Sequence, residues 1–143
     1  MSFKQWSAVV MLASAAIVGA WVIFDAVASG TPRTGVAAVA ARLLWAGLAM
    51  IVINIGAVIA TAIVGSIVTR AEFKDERADE RDQAVYAKSM RNAYFVVSVG
   101  GLVTMFVLAL GFDPSIAAYT LFGGGVLAGA AGAVSQLVYY QLG

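Results

Sequence analysis

The sequence predicts an all-α membrane-spanning antiparallel four-helix bundle with a cytoplasmic charged helix extending the third span. Three observations lead there. Of 143 residues, 62% are hydrophobic and only 12% are charged, against roughly 25% charged in soluble domains. Mean hydropathy is +0.90. Four apolar segments reach the roughly 20 residues that cross a bilayer. So small a polar fraction cannot cover a water-facing surface, and disordered chains are poor in apolar residues. The length suits a single transmembrane domain over 1–143.

The spans are expected at about Trp6 to Ala28, Val36 to Val68, Ala93 to Leu110 and Ile116 to Tyr140. Long continuous apolar runs rich in alanine favour helices over alternating barrel strands. The second segment, at 1.5 Å per residue, is near 50 Å long and must tilt or project from a ~30 Å core. Ser29-Gly30-Thr31-Pro32 reads as a helix stop followed by a proline start, and Asp113-Pro114-Ser115 as an N-cap with proline at the first helical position. Both connections are short, so successive helices run antiparallel.

Near the start, Ala26-Val27-Ala28 fits a signal-peptidase site. The apolar stretch before it exceeds the ~7–15 residues of a signal sequence, so a retained span is expected. The middle connection, Thr69 to Asn92, holds Arg70, Lys74, Arg77, Arg81, Lys88 and Arg91, and Lys4 lies near the N-terminus. By the positive-inside rule both termini and this connection are cytoplasmic, as in a bacterial inner membrane protein.

That charged stretch repeats Asp75-Glu76-Arg77 as Asp79-Glu80-Arg81. Like charges thus fall four apart, where helical neighbours repel by roughly 0.2–0.5 kcal/mol per pair. At ~100° per residue, Arg70, Lys74, Arg77, Arg81 and Lys88 share one face, and Glu72, Asp75, Glu76, Asp79 and Asp82 centre on the other. Such a bipolar helix gains from an anionic partner on its basic side, either lipid headgroups or a second copy of the chain. A solvated extension of the third span is the plainer alternative. No proline or glycine occurs from Arg70 through Val99, so continuity with the third span is expected.

Asp79-Glu80-Arg81-Asp82, Val85, Ala87-Lys88 and Ala93-Tyr94 lead into an apolar helix. This run, from Asp75 to about Leu102, resembles a signature of a bacterial and archaeal family of small four-helix integral membrane proteins of unknown function. The resemblance implies four spans with a cytoplasmic middle connection, and no particular chemistry.

Inside the membrane, ionisable residues are functional candidates. Asp25, Arg42 and Asp113 are all expected near the outer surface, where Asp25 and Arg42 can pair, with Asp113 as a candidate third member. They read either as an ion gate or as a structural clasp. Small multidrug transporters have a similar length and four spans, but need a central glutamate in the first span that is missing here. Asn54 is expected to hydrogen-bond to another helix, and Gln136 lies toward the inner end of the fourth span. Gly125, Gly129 and Ala133 form a small-xxx-small row, which suits either internal packing or dimerisation. Gly123-Gly124-Gly125 weakens the fourth helix enough to permit a kink. Trp6, Trp21, Trp45, Tyr94, Tyr119, Tyr139 and Tyr140 read as interfacial belts.

There are no cysteines or histidines, which excludes thiol chemistry, zinc fingers and Ser–His triads. The charged stretch lacks an EF-hand pattern, so neither metal nor cofactor is expected. A net charge of +1 gives no footprint for nucleic acid. The expectation is a non-enzymatic regulatory or accessory subunit. Its partners would be the bilayer and either a cytoplasmic protein or its own copies. The alternative is a small oligomeric transporter or channel using Asp25, Arg42 and Asn54.

Overall fold

A computed structural model describes residues 3–28, 35–69 and 80–142. They form four helices: α1 (Phe3–Ala28), α2 (Val36–Thr69), α3 (Glu80–Ala109) and α4 (Pro114–Gln141). Each contains a stretch long and apolar enough to cross a membrane. In hydrocarbon every backbone N–H and C=O needs an internal partner, and a helix supplies these within one segment. The helix stop and start expected at Ser29–Pro32 lie outside the described residues.

The α3–α4 turn shows how local sequence sets direction. Gly111 has φ +78°, a left-handed conformation that glycine adopts without a Cβ penalty. It ends α3 by donating to Leu108 O at 3.0 Å, while Phe112 N donates to Val107 O at 3.2 Å. Asp113 then caps α4: its Oδ1 accepts from Ser115 N at 2.7 Å, with Pro114 opening the helix. The reversal is complete within a few residues and leaves few helix-end groups unpaired.

Helix α4 is the hub. It touches α1, α2 and α3, and α1 also touches α2; among the described residues α3 touches α4 alone. The α1–α2–α4 side is filled by Val18, Val22, Val39, Leu43 and Ala46, with Met50, Ala118, Tyr119 and Phe122 packed against them. On the other side, the seam of α3 runs through Asp82, Val85, Ser89, Asn92, Val96, Gly100 and Thr104, all buried or half-buried. Steps of three and four keep these residues on one face.

The two backbones come closest at Gly100 and Gly124. A Cβ added to Gly100 would stand 3.0 Å from Gly124 Cα, and one on Gly124 would stand 3.1 Å from Gly100 Cα. One turn pair further on, a Cβ on Gly132 would meet Ala93 Cβ at 3.4 Å. The small row closing on α3 is therefore Gly124, Ala128 and Gly132, one position before the expected row. Of the expected residues, Gly125 is exposed with nothing near its missing Cβ, Gly129 faces Met11 of α1, and Ala133 is buried. A one-residue shift rotates a helix by 100°, and unbroken runs of small residues mark the helix without marking the face. Helix α4 continues without interruption through Gly123-Gly124-Gly125.

Gly124→Val is expected to destabilise the protein by about 1–3 kcal/mol, because the new side chain meets backbone. Gly125→Ala is expected to be neutral or stabilising, since it fills open space and improves helix propensity. Unfolding of purified protein by SDS titration, followed by circular dichroism, separates the two.

Candidate functional site

Three polar arrangements lie along the bundle. The first is near the α1 C-terminus. Arg42 Nε stands 3.4 Å from Asp25 Oδ2, and Tyr119 Oη donates to the same oxygen at 2.7 Å. The Asp25 and Arg42 side chains are 15% and 31% exposed. Each helix of the α1–α2–α4 core contributes one member. Either charge alone would cost roughly 2.5–3.5 kcal/mol at the centre of a span; together they neutralise each other, and the tyrosine hydroxyl adds a charge-assisted hydrogen bond.

Asp113 has no part in this cluster. Its carboxylate is committed to the α4 N-terminus, where the Ser115 side chain and then the Ser115 backbone N–H hold it below the ordinary carboxylate range.

The second arrangement is deeper. Asn54 Nδ2 donates to Ser14 Oγ on α1 at 2.9 Å and to Met50 O on its own helix at 2.8 Å. Ser14 Oγ in turn donates to Met11 O at 2.9 Å. The amide and the hydroxyl thus tie α2 to α1. Twelve residues separate Asn54 from Arg42 along α2, about 18 Å of helix, so the two arrangements are distinct ties.

The third lies at the opposite end from Asp25, where charged α3 runs beside the end of α4. Tyr140 Oη donates to Asp82 Oδ1 at 2.9 Å. Asn92 Nδ2 donates to Ser135 Oγ at 3.0 Å and to Tyr139 Oη at 3.2 Å. Lys88 Nζ lies over the Tyr139 ring, 5.9 Å from its centroid. Between these contacts Val85 is buried and Ser89 is 1% exposed, the Ser89 hydroxyl donating to Val85 O at 2.8 Å. From Glu80 onward the charged residues and the span form one helix. Of the bipolar surface, Arg81 and Lys88 are exposed and Asp82 turns toward α4; Arg91, outside that set, is exposed as well. Asp82 accepts from the Tyr140 hydroxyl. Arg70, Glu72, Lys74, Asp75, Glu76, Arg77 and Asp79 lie outside the described residues.

Sequence reasoning placed the three tyrosines Tyr119, Tyr139 and Tyr140 in interfacial belts. Each also joins two helices through its hydroxyl. Ser14, Asn92 and Ser135 had no assigned role. Ser135 sits within two turns of the end of α4, whereas Ser14 and Asn92 lie about three turns or more inside α1 and α3, so their partners follow only from the register of the packed helices. Gln136 is half-buried on α4. Among the described residues, no group of three His, Cys, Asp or Glu could hold a metal ion.

Comparison with protein-family models, with curated proteins and with solved structures finds no match to this chain. Its function is therefore read from its own residues.

Asp25→Ala is expected to cost about 3 kcal/mol, the low end for a buried pair, since the half-buried Arg42 loses the carboxylate beside its buried Nε. Tyr119→Phe should cost less, about 1.5–3 kcal/mol. The Asp25→Ala/Arg42→Ala double variant should be less destabilised than the sum of the singles, and a double-mutant cycle measures that coupling.

At the α4 cap, a carboxylate held low in the folded state contributes stability that is present above its unfolded pKa. That contribution is lost as pH falls through the lower folded value. Hydrogen exchange at the start of α4 should therefore accelerate on acidification. Asp113→Asn, which still caps but does not titrate, should remove that acid dependence.

Proposed function

We propose that this chain is a non-enzymatic integral membrane protein, a regulatory or accessory subunit acting through the charged helix at the head of α3. The observation that carries the reading is the bracing of that helix. Val85, Ser89, Asp82 and Asn92 hold its described part, directly after the charged repeat in sequence, against the end of α4. A solvated linker has no need of such support. A surface presented in a fixed orientation does, because ordering it beforehand lowers the cost of binding.

The partner is a cytoplasmic protein or a second copy of the chain, meeting the bipolar surface from Arg70 to Arg81. Both termini and the charged connection face the cytoplasm in this reading, supported by the lysine and arginine bias. The transport alternative is less favoured. Asp25, Arg42 and Tyr119 engage one another, Asn54 engages Ser14, and the two sets stand well apart along α2.

The test is cross-linking in native membranes. The wild type is compared with a variant in which Arg77, Asp79, Glu80 and Arg81 are alanine. The expected result is a discrete cross-linked species, either a protein adduct or a dimer, lost in the variant while α-helical content is kept. The same species in both proteins, or none in either, would overturn the docking role. The chain has no cysteine, so single cysteines at Ala84 and Phe112 also read orientation directly. Impermeant maleimide should label Phe112→Cys from outside intact cells and Ala84→Cys only after lysis.

A further inference from the structure

The side of α3 turned away from α4 carries a mostly apolar strip. Taking Arg91 as reference, Lys88, Phe95, Leu102 and Phe106 all fall within about 60° on the helix at 100° per residue. Phe95, Leu102 and Phe106 are 73%, 71% and 67% exposed, and among the described residues α3 is covered by α4 alone. The strip, interrupted by exposed Ser98 whose hydroxyl donates to Tyr94 O at 2.8 Å, therefore runs down one face and ends at two cations. From Phe95 to Phe106 it measures about 16 Å of helix, close to one leaflet of a ~30 Å hydrocarbon core.

The head of the strip has the chemistry of an anion site. Lys88 and Arg91 are three apart, so they are neighbours on the helix surface. Among the described residues neither has a carboxylate partner within ion-pair distance. The nearest acidic groups on α3 are removed: Asp82 is turned to Tyr140, and Glu80 lies eight residues before Lys88, about 12 Å along the axis. The last turns of α4 beside them contain no acidic residue. Tyr139 adds a donor. Its oxygen already accepts from Asn92, so its own hydroxyl proton remains to be given, next to the Lys88 ammonium over its ring.

We propose that Lys88, Arg91 and the Tyr139 hydroxyl bind the phosphate of an anionic phospholipid whose acyl chain lies along Phe95, Leu102 and Phe106. Charge complementarity selects the headgroup and the apolar strip selects a lipid over a soluble phosphate. A zwitterionic lipid carries its own cation beside the phosphate and loses much of the attraction. The site lies seven or more residues nearer the membrane than Arg81. It therefore does not depend on the partner-docking role of the charged repeat. Its place at the joint between the span and the cytoplasmic part of α3 would let the anionic lipid hold that joint at headgroup level.

Native mass spectrometry of the purified protein tests this, with phosphatidylglycerol, phosphatidylcholine of the same chains, and inorganic phosphate added separately. A retained one-to-one phosphatidylglycerol adduct is expected, at least fivefold more abundant than the phosphatidylcholine adduct, with none from inorganic phosphate. Lys88→Gln/Arg91→Gln should reduce it at least fivefold, Tyr139→Phe by a smaller factor, and Arg81→Gln little. Equal retention of both lipids, or an unchanged adduct in the double variant, would overturn the proposal.

A second measurement leaves the cations intact. Phe95→Cys carrying a fluorophore is reconstituted into vesicles containing spin-labelled lipid. Quenching should be stronger with labelled phosphatidylglycerol than with labelled phosphatidylcholine at equal mole fraction. Equal quenching would overturn the headgroup preference. Protection from both lipids would mean that a second protein covers the strip, and would also overturn it.

Discussion

The approach of Gly100 to Gly124 is the contact on which the rest of the bundle depends. Lipid tails are as apolar as leucine, so burying apolar side chains gives two membrane helices little reason to associate. What remains is close van der Waals contact and polar groups that find each other. With 3.0 Å between one Cα and a notional Cβ on the other helix, α3 and α4 meet with almost nothing between their backbones. That crossing sets the register of the seam. From it follow the alignment of Asn92 with Ser135 and Tyr139, and of Asp82 with Tyr140.

Helix α4 does two jobs with two faces. Toward α3 it offers small residues and permits close approach. Toward α1 and α2 it offers Ala118, Tyr119 and Phe122, which pack on a valine- and leucine-rich core. Charge is admitted to that core only as a neutralised set, Asp25 with Arg42 and the Tyr119 hydroxyl. Three helices contribute to it, so it specifies their arrangement as well as satisfying its own members. Asn54 and Ser14 do the same for α1 and α2 with neutral groups. A wrong pairing of helices would strand these groups in hydrocarbon.

At the other end, the same α3–α4 seam continues past the apolar stretch as far as Asp82, so the charged start of the described α3 is packed on α4. The consequence is a division along α3. Its apolar strip and the first cations beyond it belong to the bilayer in our reading, and the more distant charges to a partner. Each part is positioned by a helix that runs unbroken from Glu80 to Ala109.

The number of spans, their limits to within a few residues at most ends, and the Asp113-Pro114 cap were legible in the sequence. They follow from local quantities: apolar run length, proline, glycine and a short capping side chain. The reach of charged residues into the third helix was legible from Glu80 onward for the same reason, the absence of breakers. The facing of α4 was not. Its small residues occupy nearly every position around the helix, so the chain pattern is equally compatible with Gly125 or Gly124 toward a neighbour, and packing on α3 chose Gly124. Nor were the tyrosine ties legible, because a tyrosine near a span end looks the same whether it meets headgroups or another helix. Sequence alone determined four helices long and apolar enough to cross a membrane, because run length and apolar composition are local quantities. Tertiary structure decided which small residues touch and which polar groups pair, because those depend on the rotation and register of one helix against another.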